Sequence, residues 1–215
     1  MPRVKLDITM SLDGFVAGPD RTIEQPLGER GDLLHEWVYG LASWRAPHGL
    51  EGGETNVDSE VLEQSMAGNG AVVMGRRMFS GGHGAWEVDP RAHGWWGDEP
   101  PFGVPVFVLT HHAREPLAMK GGTTFTFVTD GVESAVERAR AAAGGRDVNI
   151  GGGASVAQQA LAAGLLDELQ IHVAPVLLGD GVRLFEGFDA AQVGLVQTRV
   201  VEGQNVAHIT YRTGG

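Results

Sequence analysis

The chain has 215 residues, with 16 Lys and Arg against 27 Asp and Glu and a formal charge of −11. That length suits a single domain over residues 1–215, and the negative balance excludes broad binding to nucleic acid or anionic membranes. The absence of cysteine excludes disulfide scaffolds, thiolate metal sites and Cys nucleophiles together. The first residues, through Asp7, carry no apolar signal core, and no apolar run is long enough to cross a bilayer, so a cytoplasmic protein is expected.

Taken in chain order, β-branched apolar runs at 4–9, 71–74, 104–109, 125–129, 148–150 and 169–173 predict strands. Helical spacing predicts a helix over 33–43 that begins near Asp32, and another over 58–67 with Asn56 or Asp58 as its cap. Further helices are predicted over 132–143 and 155–163, each ended by a glycine, Gly144 and Gly164. Alternation of strands and helices implies an α/β sheet covered on both faces. Near the C-terminus, 193–201 and 206–212 flank the turn-prone Glu202-Gly-Gln-Asn205, which predicts an antiparallel hairpin and a mixed, mainly parallel sheet. Residues 80–101, with Trp86, Trp95 and Trp96, break the alternation as a long loop, either a lid over a flat ring or a segment packed on its own domain.

Three polar clusters fall at predicted strand ends, where open α/β sheets bind ligands. Ile150-Gly-Gly-Gly153 followed by Ala154 and Ser155 joins a strand to a helix N-terminus, a place where backbone N–H groups can cradle a phosphate. The same glycines also suit a tight turn capped by Ser155. Gly75, Arg76 and Arg77 follow the strand at 71–74, and the arginines are either phosphate forks or solvated charges. Thr110, His111, His112 and Arg114 follow the strand at 104–109. His83, His93, His111 and His112 stand at no recognised ligand spacing with a carboxylate, so no metal site is expected.

These segments, with Ser11-Leu-Asp-Gly-Phe-Val-Ala-Gly18, Val73-Met-Gly-Arg76, Leu109-Thr-His111, Leu166-Asp-Glu-Leu169 and Pro175-Val-Leu-Leu-Gly-Asp-Gly181, resemble the dihydrofolate-reductase-like family across essentially the whole chain. Within it they resemble the reductase domain of the bifunctional riboflavin-biosynthesis deaminase-reductase (the RibD C-terminal domain) and its stand-alone relatives. The resemblance implies a three-layer αβα fold and an NADPH-dependent oxidoreductase that delivers hydride to a flat heterocycle, like the 5-amino-6-(5-phosphoribosylamino)uracil reductase of riboflavin biosynthesis. It places Val16 and Ala17 against the nicotinamide, and Gly75, Arg76 and Arg77 on the phosphates. Thr110 and His111 fall near the adenosine and its 2′-phosphate, and Gly151, Gly152, Gly153, Ala154 and Ser155 hold the pyrophosphate. It also implies a homodimer.

Two departures from dihydrofolate reductases stand out: Met78 replaces a phosphate-binding Thr, and Ala154 a common Arg, with Arg77, His112 or Arg114 available to compensate. For the carboxylate that orients substrate, Asp32 is the candidate, with helix N-capping as its other reading, and Glu36 is a solvated helix residue. Asp13 is a substrate contact or an ordinary Asp-Gly turn. Reduction of dihydrofolate or another pterin, and non-catalytic nucleotide or flavin binding, are the alternative functions.

Overall fold

The computed structural model describes residues 2–214. Its first half contains β1 (Val4–Ser11), β2 (Phe15–Ala17), α1 (Glu36–Tyr39), α2 (Ala42–Arg45), α3 (Val57–Ala67), β3 (Asn69–Gly75), α4 (Arg76–Ser80) and β4 (Pro105–Leu109). There follow β5 (Leu117–Ala118), β6 (Thr124–Val128), α5 (Val132–Ala142), β7 (Asp147–Gly152), α6 (Ala154–Ala162), β8 (Glu168–Ala174), β9 (Val182–Arg183), β10 (Leu195–Glu202) and β11 (Ala207–Thr213).

The apolar runs assemble into one nine-stranded sheet in the order β10-β11-β8-β1-β7-β3-β4-β6-β5. The strands from β8 through β6 are parallel, so their carboxyl ends share one edge. The expected hairpin is β10 and β11, added antiparallel to β8. A two-stranded sheet of β2 and β9 stands apart.

Alternation along the strands divides the core between the two faces. Leu6 lies opposite both Ile150 and Leu169, all fully buried, and with Ala71 and Val73 it packs beneath α5 and α6. The buried stripe of α5, Val132, Ala135, Val136 and Ala139, has the spacing of one helical face. On the opposite face Val72, Met74, Val106 and Val108 pack against Phe79 and Phe125, and Trp86, Trp96 and Phe102 cover them. Much of the long 80–101 loop is therefore an outer wall of the core, with Trp86 edge-on to Phe79 and Phe127.

Next to this apolar half, the face beneath α3 is polar. The α3 N-cap is Asn56, whose side chain accepts from the Ser59 N–H at 3.1 Å, while Asp58 is buried and turned toward the sheet. A row of groups then crosses three strands. Asp7 Oδ1 lies 2.7 Å from His172 Nε2, the two Nδ1 atoms of His172 and His208 lie 2.6 Å apart, and His208 Nε2 lies 3.0 Å from Asp58 Oδ1. The two imidazoles thus link a carboxylate on β1 to one on α3 through a single buried row of polar contacts. Trp37 packs on both rings, and the turn between β10 and β11 is pinned by the Gln204 N–H, which donates to Asp58 at 3.2 Å.

The helix expected over 33–43 is not continuous. Residues Gly31–His35 form a 3-10 turn, and α1 and α2 are single turns on either side of an extended Leu41. A distant strand-like contact breaks the helix here: Glu54 N–H donates to Gly40 O at 2.8 Å, and Ala42 N–H donates to Glu54 O at 2.9 Å. Asp32 does not cap this segment either, since Arg30 occupies the N-cap position and no side chain caps the turn.

Candidate functional site

The carboxyl ends of the parallel strands open onto two joined cavities of about 300 and 410 Å³. Arg21, Arg77, Met78, Gly153 and Ala154 line both, so they form the waist of a continuous cleft.

The smaller cavity gathers all three of the predicted strand-end clusters: Gly75 to Arg77, Thr110 and His111, and Gly153 to Ser155. Two of the glycines sit where side chains approach closely. A Cβ on Gly75 would press on Val156 Cγ2 at 3.2 Å, which brings the end of β3 against the first turn of α6. Gly152 has φ 125°, a region that favours glycine, and its Cβ would press on the Met78 sulfur at 3.1 Å. Gly153 faces open space. No side chain caps α6, because its N-cap is Gly153 and Ser155, already inside the helix, accepts from Gln159, so the first N–H groups of a nine-residue helix are presented to the cavity. The expectation of a Ser155 cap is thereby corrected.

The two arginines after β3 differ. Arg76 is buried; its guanidinium is held by Asp89 and Ser80 and lies 3.4 Å over the Trp86 ring. It shapes the cavity wall, with its terminal nitrogens held by Asp89 and Ser80 and its Nε buried without a partner. Arg77 is exposed, and among the described residues neither it nor Arg21 forms an ion pair. Burial and the neighbouring Arg77 charge push the Arg21 guanidinium below its ordinary pKa. Two uncompensated cations beside a helix N-terminus, in a chain of charge −11, make a local anion site. Of the other compensating groups, Arg114 is spent on Ala92 O and on the Trp86 ring, while the His112 carbonyl accepts from Trp86 at 2.7 Å. Thr110 is buried and its hydroxyl accepts from the His112 N–H, while His111 is exposed at the cavity edge.

The larger cavity is walled by Val16 and Ala17 of β2, by Gly151 and Gly152, and by Trp44, Trp95 and Trp96. Trp95 thus serves the site, Trp86 the core, and Trp96 both. Neither predicted carboxylate lines either cavity. Asp32 is exposed. The Asp13 carboxylate accepts from the Ser11 hydroxyl at 2.6 Å and from the N–H groups of Gly179 at 2.7 Å and Leu178 at 3.2 Å. The Ser11 hydroxyl and these N–H groups outweigh desolvation and hold the Asp13 carboxyl down at about 2. Asp13 therefore ties the loop after β1 to the segment before β9, and neither Asp13 nor Asp32, the substrate contacts expected from the sequence, is brought into the cleft. Sequence reading missed Arg21, which lies in an irregular stretch, and His35 and Tyr39, hidden inside a helix that does not form.

A mainly parallel sheet with helices on it, an antiparallel C-terminal hairpin and a cleft across its carboxyl ends defines the dihydrofolate-reductase-like class. Within that class the chain belongs to the RibD C-terminal domain family of oxidoreductases, whose model matches residues 2–208. A protein from Shewanella sp. PV-4 described as a riboflavin biosynthesis protein shares the fold with a TM-score of 0.64 and 20% identity, covering 99% of each chain. The diaminohydroxyphosphoribosylaminopyrimidine deaminase/5-amino-6-(5-phosphoribosylamino)uracil reductase of Thermotoga maritima gives 0.57 and 17%, with 99% of this chain matching 57% of that one. Dihydrofolate reductase from Enterococcus faecalis, complexed with NADP(H) and RAB-propyl, gives 0.51 and 14%, covering 99% and 97%. No curated protein matches the chain by sequence. Among the described residues no helix is long and apolar enough to cross a membrane.

Proposed function

We propose that this protein is an NADPH-dependent reductase of the riboflavin type, which transfers hydride to a flat heterocyclic substrate. The observation that carries the proposal is the waist of the cleft, where Arg21, Arg77 and the uncapped N-terminus of α6 converge on one anion site. The residues fit the cofactor: Gly153 leaves room for a pyrophosphate against the backbone, and the open guanidinium of Arg77 supplies a fork for it. The smaller cavity, with Thr110 and His111, takes the adenosine half. The larger one, with Val16 and Ala17, takes the nicotinamide and the substrate. NADPH supplies the hydride, and the protein's part is to bind, orient and exclude water.

A pterin-type reading, which depends on a carboxylate beside the ring, is not favoured, because Asp32 is exposed and lines neither cavity. We also propose a cytoplasmic homodimer. Its support is the edge strand β10, where Leu195, Val196 and Val200 are each more than 40% exposed.

Titration with NADPH and NADH tests the cofactor. NADPH binds, and Arg77→Ala weakens it about tenfold with a shallower salt dependence, the loss expected for one charge-assisted contact. Failure of both dinucleotides to bind overturns the proposal. Tight binding without oxidation by any pyrimidine, pterin or quinone replaces it with a non-catalytic nucleotide-binding role.

A further inference from the structure

The larger cavity divides into two ends of different chemistry. At the waist stand Arg21 and Arg77, both also part of the smaller cavity. Away from that shared waist, the residues that line the larger cavity alone, among them His35, Tyr39, Trp44, Pro26 and Leu27 at what we call its far end, include no Lys or Arg. If the two guanidiniums and the α6 N-terminus are occupied by the cofactor pyrophosphate, no cation is left at the far end for a second phosphate. Burying an unpaired dianion against tryptophan and proline in a protein of charge −11 is strongly unfavourable. Flat aromatic walls and an apolar lining suit an uncharged ring.

The one titratable group at that end besides Tyr39 is His35. Burial pushes its imidazole below the ordinary histidine value, more than Asp32 raises it, so the ring is neutral at neutral pH and has one N–H. Its Nδ1 is buried without a hydrogen-bond partner, while Nε2 is not among the buried, unpartnered atoms. Orphaned buried N–H groups are rarer than under-used acceptors. The proton therefore sits on Nε2, the nitrogen open to the cavity.

We propose that the far end of the larger cavity binds an uncharged planar ring carrying a carbonyl and no phosphate, with the Nε2–H of His35 donating to that carbonyl. This rests on the reductase reading for the place of the cofactor, and it turns the substrate away from phosphoribosyl compounds. His35 then sets ring specificity in the position where a carboxylate was expected.

The test uses the full chain and two fluorescent probes: lumichrome, an uncharged tricycle with two carbonyls, and FMN, the related ring with a ribityl phosphate. With NADPH saturating the arginine site, lumichrome binding is expected to be at least tenfold tighter than FMN binding; lumichrome is also followed without NADPH. His35→Phe keeps a flat ring and removes the donor; it is expected to weaken lumichrome about five- to tenfold, the worth of one neutral hydrogen bond, with NADPH affinity unchanged. His35→Gln places an amide N–H near the former Nε2 and restores most of the loss, which a purely structural role does not predict. FMN binding as tightly as lumichrome, no lumichrome binding, or a His35→Phe variant with unchanged affinity each overturns the proposal. Lumichrome binding in a protein that binds no dinucleotide refutes the reductase reading and leaves the ring site standing.

Discussion

Replacing His208 by leucine probes the buried row of Asp7, His172, His208 and Asp58. The leucine has nearly the volume of the imidazole, so little cavity forms, and the cost comes from hydrogen bonds. His208 is 2% exposed, and its removal cuts the 2.6 Å contact to His172 and the 3.0 Å contact to Asp58. Asp58, with its side chain 4% exposed, keeps only the Gln204 N–H at 3.2 Å, so a buried carboxylate loses its main partner. Leaving a buried carboxylate without its main partner costs about 3–5 kcal/mol, which contains the roughly 1–3 kcal/mol of an orphaned polar group. We take about 4 kcal/mol as the expectation. For a chain of this size each kcal/mol lowers Tm by about 2–4 °C, so a drop of roughly 8–16 °C follows. Urea unfolding followed by circular dichroism and by tryptophan emission measures it, since Trp37 stacks on both imidazoles. Adding Asp58→Asn to His208→Leu costs less than the sum of the single changes, because the second removes a carboxylate already stranded. A loss under about 1 kcal/mol, or strictly additive single and double variants, refutes this account.

The remaining predictions concern acid stability and a glycine. Burial holds His208 and His35 below their unfolded value, so as pH falls below about 6.5 the unfolded chain takes up protons first and stability declines. Asp7 and Asp13 are held down in the folded state, so they add a second decline as pH falls below about 3.8. Tm measured from pH 8 to 4 should therefore fall on the acid side, with a flatter slope between pH 7 and 5 in His208→Leu; a flat wild-type profile contradicts it. At Gly181, with φ 134°, a Cβ would stand 2.1 Å from the Ala17 carbonyl oxygen, a backbone atom that cannot swing away. Gly181→Ala should cost about 3 kcal/mol and loosen β2, whereas Gly179→Ala, facing open space at φ 78°, should cost about 1 kcal/mol. Equal melting temperatures for the two variants would sink the argument.

Much of the sheet was legible residue by residue. Runs such as 4–9 and 169–173 are apolar and β-branched, bounded by turn residues, and they appear as β1 and β8 with slightly wider limits. The helices α5 and α6 carry their own periodic stripe and glycine stop, and the hairpin carries its turn, so each is encoded within a dozen neighbouring residues. The three strand-end clusters were readable for a related reason. In a parallel sheet every strand delivers its following loop to the same edge, so Gly75, Thr110 and Gly153 are expected along one edge, and the strand order β7-β3-β4 then makes them neighbours.

What failed depended on contacts between residues far apart in sequence. The helix over 33–43 has suitable spacing, yet hydrogen bonds to Glu54 hold Leu41 extended and break it. Asp13 looks the same in sequence whether it meets a substrate or the backbone at 178–179, and Arg76 looks like its neighbour until Asp89 claims it. Arg21 and His35 belong to no local pattern; only the folding of their segments against β1, β2 and the end of β7 puts them on the cleft. The sequence by itself determined the longer strands, though not the short β2, β5 and β9, together with the principal helices and the edge at which the polar clusters gather, because those follow from local periodicity and parallel connection. Which side chains remain unpaired at that edge, and so are free to hold a ligand, was decided only by tertiary structure, since every pairing that consumes or spares them spans the fold.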